Sequence, residues 1–266
     1  MKIVILTNDG SLFGKKILND FISREIIIKA VVVIKQPFKY YWRLFKYVQK
    51  RVGIVDSIYF SIKRILADLR EQEALFWNNR RLIRNYNEIG VPILYTKGTN
   101  SDKTLKILRD ISPDLLILGQ PGIVKKKLLE IPTIGTLNSH PGILPNYRGI
   151  DCAKWAIYND EFHNVGCSVH WVNEGVDTGN IIIKKAFDFC GDESIETLDE
   201  KLNNICISML TKVVSLIQKG DIASGISQKK YEGKQYFKMS REFEAIVQRK
   251  LSEYLAQKNY KQAASF

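Results

Sequence analysis

Asn138, His140 and Asp177 are the side chains in this sequence best suited to covalent chemistry. The first two fall in the stretch Asn138-Ser139-His140-Pro141-Gly142-Ile143-Leu144-Pro145-Asn146-Tyr147-Arg148-Gly149. On a strand, side chains two residues apart leave the same face, so Asn138 and His140 are expected to project together from a strand's carboxyl end. Pro141, Gly142, Pro145 and Gly149 then impose an ordered turn whose amides can face a ligand. Asp177 sits in a second loop, Gly175-Val176-Asp177-Thr178-Gly179, which follows a strand expected over 165–171 and can hold a carboxylate beside the imidazole.

An amide, an imidazole and a carboxylate together suit attack of an amine on a carbonyl carbon. Negative charge develops on the carbonyl oxygen and a proton must leave the amine. Donors aimed at that oxygen are each worth roughly 3 to 4 kcal/mol, a role for Asn138 and His140. A carboxylate beside the imidazole favours its charged form and relays the amine's proton through water, worth about 10² to 10⁴ in rate, a role for Asp177. A single histidine at a strand end is more often a satisfied structural side chain, so the set of three carries the argument. The sequence has three histidines. His163, between Glu161 and Asn164, reads as a surface residue, and His170, between Val169 and Trp171 on a strand, as structural.

The elements around these residues alternate. An apolar run at 2–7 ends in Asn8-Asp9-Gly10, and Leu12, Ile17, Leu18 and Phe21 follow at helical spacing. Residues 26–34 form a nearly continuous Val/Ile strand, the signature of burial on both sheet faces. Strands are expected at 91–95, 115–118, 135–139 and 181–187, with a helix over 102–111. A further helix opens near Ser194 and carries Leu198, Leu202, Ile205, Met209, Val213 and Leu216 inward, with Thr197 and Glu200 as its capping box. This rhythm predicts an α/β, Rossmann-like open and mostly parallel sheet with flanking helices, a helical insertion and a short C-terminal appendage. The domains expected are a catalytic one over 1–220 and an extension over 221–266.

Residues 35–90 interrupt the rhythm with basic and aromatic side chains, among them Tyr40, Tyr41, Trp42, Phe45 and Tyr47. The segment is far longer than an ordinary loop and should carry its own helices. Lys39, Arg43, Lys46 and Lys50 are spaced to share one helical face. The plainer reading is a solvated face over aromatics packed on the core or on a second subunit, which would make a homodimer; the sharper is a surface for anionic lipid or nucleic acid, with peripheral membrane contact through 39–51.

Composition constrains without deciding. Lys and Arg total 40 against 28 Asp and Glu, a formal charge of +12 that attracts anions of any kind. Cys152, Cys167, Cys190 and Cys206 are scattered, which suggests structural thiols in a reducing cytoplasm and no metal site. No run is apolar enough for a membrane span or a signal-peptide core.

Asn-x-His, a following Leu-Pro-x-x-x-Gly loop at 144–149 and Gly-x-Asp-x-Gly at 175–179 resemble the folate-dependent formyltransferase family. That family includes glycinamide ribonucleotide, methionyl-tRNA and sugar-nucleotide N-formyltransferases. The resemblance is specific over roughly 112–220 and looser at 1–34. It implies a 10-formyltetrahydrofolate donor, with the pterin against Leu118, Gly119, Gln120, Pro121, Gly122 and Ile123 and against the loop residues Gly175 and Val176. It implies the same catalytic set of Asn138, His140 and Asp177.

For the acceptor, the resemblance is closest in layout to sugar N-formyltransferases, hence a nucleotide-linked amino sugar and no nucleic acid partner. Methionyl-tRNA enzymes carry a further C-terminal domain, for which the tail here is short, although the +12 charge points the other way. Glycinamide ribonucleotide enzymes hold a phosphate on a glycine-rich first turn, where Asp9 would repel it. Lys229, Lys230 and Lys234 are candidates to meet a diphosphate, with solvated charge the plainer explanation. A reading of another class is a non-catalytic protein of this fold on an anionic membrane, against which the intact set of three residues argues.

Overall fold

The computed structural model describes residues 1–9, 11–35, 42, 45–62, 90–221, 224–229 and 232–263. Of the residues discussed above, Gly10, Lys39, Tyr40, Tyr41, Arg43 and Lys230 lie outside that set. In chain order the elements are β1 (Ile3–Asn8), α1 (Leu12–Ser23), β2 (Ile28–Lys35), α2 (45–62), β3 (Ile93–Lys97), α3 (Asp102–Ile111), β4 (Leu115–Gly119), α4 (Lys126–Leu129), β5 (Gly135–His140), β6 (Tyr147–Gly149), α5 (Cys152–Tyr158), β7 (Gly166–Trp171), β8 (Ile181–Ala186), α6 (Ile195–Gln218), β9 (Lys234–Tyr236) and α7 (Arg241–Ala263). Seven strands form a sheet in the order β3-β2-β1-β4-β5-β7-β8, and β6 and β9 form a separate pair. The chain divides into two compact units, Met1–Leu137 and Asn138–Phe266.

In the first unit β1 pairs in parallel with β2 and β4, β2 with β3, and β4 with β5. Ile3, Val4, Ile5 and Leu6 of β1 and Leu115, Leu116 and Ile117 of β4 are fully buried, as a parallel sheet covered on both faces requires. Each such side chain contributes about 1.5 to 3 kcal/mol by leaving water. Helix α1 opens on Ser11, whose side chain accepts from the Gly14 amide, and buries Phe13, Ile17, Leu18 and Phe21. Glycine at 14 and 119 lets α1 begin close over β1 and β4: a Cβ on Gly119 would sit 2.8 Å from the Gly14 Cα. The Thr7 hydroxyl closes this junction by donating to the Gly119 carbonyl at 2.7 Å.

The insertion does carry a helix, α2. Trp42 and Tyr47 are 52% and 40% exposed, so among the described residues these two aromatics are not packed on this chain's own core. No helix of the described residues is long and apolar enough to cross a membrane.

In the second unit β7 and β8 are antiparallel, with an irregularity between Val169 and His170. Helix α6 packs on β7 and β8 through Leu198, Leu202, Cys206, Met209 and Val213. Its capping box is one turn earlier than expected: Ser194 is the N-cap and Thr197 the reciprocating residue, rather than Thr197 with Glu200. The hydroxyl nearest the last extended residue takes the cap, because only there are free helix amides within reach. Beyond residue 240 the polar tail folds as α7. Its Val247, Leu251 and Leu255 are buried, Tyr254 stacks on Phe162 at 3.8 Å, and Lys250 donates to the Tyr158 carbonyl at 2.6 Å. Cys152, Cys167 and Cys206 are buried free thiols and Cys190 is an exposed one.

Candidate active site

Strand β5 ends on Asn138, buried Ser139 and buried His140. The Gly142 amide donates back to the His140 carbonyl at 2.9 Å, which starts the turn into 143–149. A side chain at 142 would strike the His140 ring, with a Cβ only 2.6 Å from Nε2, so glycine there is a packing requirement. Ser168 on β7 holds the same turn, donating to the Gly142 carbonyl at 2.8 Å and accepting from the Leu144 amide at 3.0 Å.

Asp177 lies in the loop between β7 and β8 with positive φ, 53°, an uncommon backbone region for a residue other than glycine. The loop closes on itself: Asn173 accepts from the Gly175 amide at 3.1 Å and the Thr178 hydroxyl at 2.6 Å. Gly179 passes so near the Trp171 carbonyl that any side chain would collide with it.

These two segments converge on the carboxylate of Asp177. Its Oδ2 is 3.5 Å from His140 Nδ1 and accepts from the Gly149 amide at 2.9 Å. Its Oδ1 is 3.4 Å from His170 Nε2 and 3.5 Å from Asn138 Nδ2. Asn138 Nδ2 also lies 3.2 Å from His170 Nε2, while His170 Nδ1 donates to the Trp171 carbonyl at 2.7 Å. His170 Nδ1 faces a carbonyl and so carries a proton, while Nε2 stands between the Asn138 amide and the Asp177 carboxylate. Asn138, His140 and Asp177 therefore stand together.

Burial by itself would raise the Asp177 carboxyl. The charge of His140, the bond and charge of His170, and the Gly149 amide outweigh it and hold the group well below the ordinary carboxylate range. The nearby Cys152 thiol is pushed far up, mainly by burial and then by the charges of Asp177 and Asp151. It is an inert buried thiol, not a nucleophile.

His140 has an acceptor at each ring nitrogen, because Nε2 bonds the Tyr147 carbonyl at 2.9 Å. Both bonds are made only when both nitrogens carry protons. To donate to a substrate oxygen, Nε2 must exchange the Tyr147 carbonyl for it. His170, which reads from the sequence as structural, is an immediate neighbour of Asp177. The signal was its position at the end of a strand seven residues before Asp177, but apolar neighbours on both sides masked it. His163 is exposed, as expected.

In the first unit, the segment 118–123 is held by its own set of bonds. The Ser11 hydroxyl donates to the Gly119 carbonyl at 3.1 Å, Asn8 to the Gln120 carbonyl at 2.6 Å, Thr99 to the Pro121 carbonyl, and Asn100 to the Ile123 carbonyl at 2.8 Å. Gln120 and Gly122 have positive φ. Ile123 is 77% exposed and Val176, in the second unit, 41% exposed.

The Formyl transferase family pattern matches residues 1–214, and the chain belongs to that family. Among curated relatives, a methionyl-tRNA formyltransferase from Syntrophus aciditrophicus is 32% identical over 129 residues, 48% of this chain and 41% of that protein. Another, from Halothermothrix orenii, is 34% identical over 137 residues, 50% and 42% of the two chains. These matches span less than half the length of the relatives. Among solved structures, a phosphoribosylglycinamide formyltransferase from Anaplasma phagocytophilum shares the fold at a TM-score of 0.58 and 19% identity, covering 90% of this chain and 99% of its own. A sugar N-formyltransferase from a Shewanella species does so at 0.55 and 14%, covering 91% and 78%.

Proposed function

We propose that the protein transfers a formyl group from 10-formyltetrahydrofolate to a primary amine, with Asn138, His140 and Asp177 as the catalytic residues. The observation that supports this is the Asp177 carboxylate, bracketed by two imidazoles, the Asn138 amide and the Gly149 amide. The amine forms a C–N bond to the formyl carbon of the donor, and collapse of the tetrahedral adduct breaks the bond to the folate nitrogen, which takes a proton and leaves as tetrahydrofolate. Asn138 offers its amide hydrogens to the carbonyl oxygen as charge builds there. His140, once its Nε2 leaves the Tyr147 carbonyl, adds a second donor. Asp177 keeps that ring oriented and takes up the amine's proton through water. Leu118 to Ile123, with Gly175 and Val176, are the proposed donor contacts. Residues 1–220 are the proposed catalytic domain and 221–266 its extension, in a cytoplasmic protein.

For the acceptor we favour a nucleotide-linked amino sugar, on overall layout, with its diphosphate drawn by the basic surface. The second reading is methionyl-tRNA, favoured by the 32 to 34% identity to enzymes of that name and by the +12 charge. Incubating the protein with the formylated folate and, in turn, amino-sugar nucleotides, glycinamide ribonucleotide and methionyl-tRNA decides between them. Tetrahydrofolate release is expected with one class of acceptor, and silence with all of them would end the enzymatic reading.

A further inference from the structure

The family pattern stops at residue 214, yet the loop that presents Asp177 is tied to residues beyond that point. Gln228 sends its single NH₂ group to two carbonyls of this loop, that of Asp177 at 3.0 Å and that of Gly179 at 2.6 Å. Turned over, the amide would set its oxygen against both carbonyls, so its orientation is settled by the partners. The buried Gln228 Oε1 has no hydrogen-bond partner.

Strand β9 braces the other side of the same carboxylate. It pairs in parallel with β6, setting Gly149 opposite Tyr236, and the Ile150 amide donates to the Tyr236 carbonyl at 3.1 Å. Gly149 has φ of 98° and so little room that a Cβ would strike the Tyr236 carbonyl. Tyr236 stacks on Tyr147 at 4.8 Å, and Tyr147 provides the carbonyl that receives His140 Nε2. Next to β9, the Met239 amide donates to Asp151 at 2.9 Å. Gly149 donates to Asp177 from one side and Gln228 holds the Asp177 main chain from the other. Both ends of that bond therefore rest on residues outside the family pattern.

We propose that Gln228 is a positioning residue which, with β9 as its counterpart, holds the Asp177 loop in register with His140 and Gly149. The role rests on the formyl-transfer reading for its effect on rate, but not for its effect on geometry. A positive-φ aspartate persists only where its surroundings over-determine it, and two carbonyl bonds from one amide do so here. When they are lost the loop relaxes and the carboxylate leaves the imidazoles.

The test compares Gln228→Ala and Gln228→Glu with the wild-type chain and with Ser227→Ala, an exposed neighbour, as control. Glutamate keeps the size but cannot donate to the two carbonyls. In ¹⁵N-histidine spectra the His140 and His170 signals should move in both variants, while His163 serves as an unmoved internal reference. With the acceptor found above, kcat should fall roughly tenfold or more with the KM for the folate little changed, because the residue acts on the transition-state geometry. Superimposable histidine spectra with unchanged kcat would overturn the proposal. Failure of both variants to fold would also overturn it, by making the residue structural. If the wild-type chain transfers no formyl group, the functional reading fails and the spectra still decide the role of Gln228.

Discussion

Asp177 and Glu193 are two carboxylates of the second unit whose acidity is raised by their surroundings, and they illustrate opposite uses of that effect. Glu193 is buried and accepts from the Cys190 amide at 2.9 Å, the Gly191 amide at 3.0 Å and Lys201 Nζ at 2.8 Å. Burial opposes ionisation, but Lys201 and the two amides prevail and hold the group near 2. Asp177 is also held low, by imidazoles and one amide. The difference lies in the partners. Backbone amides and an ammonium ion fix a charge in place, and Glu193 thereby anchors the turn that leads into α6. Imidazoles can also give up or take protons, and Asp177 faces two of them. A lowered carboxyl is therefore an incomplete sign of catalysis until its partners are named.

The largest effect should come from Asp177→Asn, which keeps shape and loses charge: turnover is expected to fall by about 10² or more, in the range of a lost acid–base group. Asn138→Ala and His140→Ala should each cost about 10² or more as lost oxyanion donors. Stopped-flow measurement of tetrahydrofolate release, with circular dichroism to confirm folding, checks all three. Near-normal rates in any one would remove that residue from the mechanism.

His170→Gln should give an intermediate loss, about tenfold, since Asp177 keeps His140, Gly149 and Asn138. A loss as large as that of Asp177→Asn would mean that His170, not His140, is the imidazole that matters.

Glu193→Gln sharpens the contrast from the other side. Turnover should be unchanged well below the melting temperature, with stability at neutral pH reduced by about 1 to 3 kcal/mol for the lost charged partner. The sign with pH follows from the lowered folded value. Glu193 stabilises fully above its unfolded value near 4.5, and that contribution disappears as pH falls toward 2. Acid titrations of wild type and variant should therefore converge across that window. Curves that stay parallel would show that Glu193 is not the group responsible.

Much of this architecture is legible in the residues. The Val/Ile runs at β1, β2 and β4 can be buried on both faces only in a covered parallel sheet, and α3 occupies the span its periodicity predicts. Asn-x-His before a proline–glycine turn and an aspartate between two glycines are local patterns, so they are visible without coordinates. Three features were not. Helix α7 is polar for most of its length, and the burial of its Val247, Leu251 and Leu255 and the stacking of Tyr254 on Phe162 are contacts with segments distant in the chain. The pairing of β6 with β9 joins residues more than eighty positions apart through three-residue strands that no periodicity can announce. The approach of His170 to Asp177 joins the end of a strand to the loop after it, beside a register shift in the β7–β8 pairing between Val169 and His170.

The sequence by itself determined the class of fold and pointed to the groups proposed to react, because burial patterns and glycine or proline turns act within a few residues of where they are written. Only the tertiary structure decided how those groups are held. The two imidazoles on one carboxylate, the carbonyl waiting at His140 and the Gln228 amide across the Asp177 loop are long-range encounters, and these depend on how the chain returns upon itself.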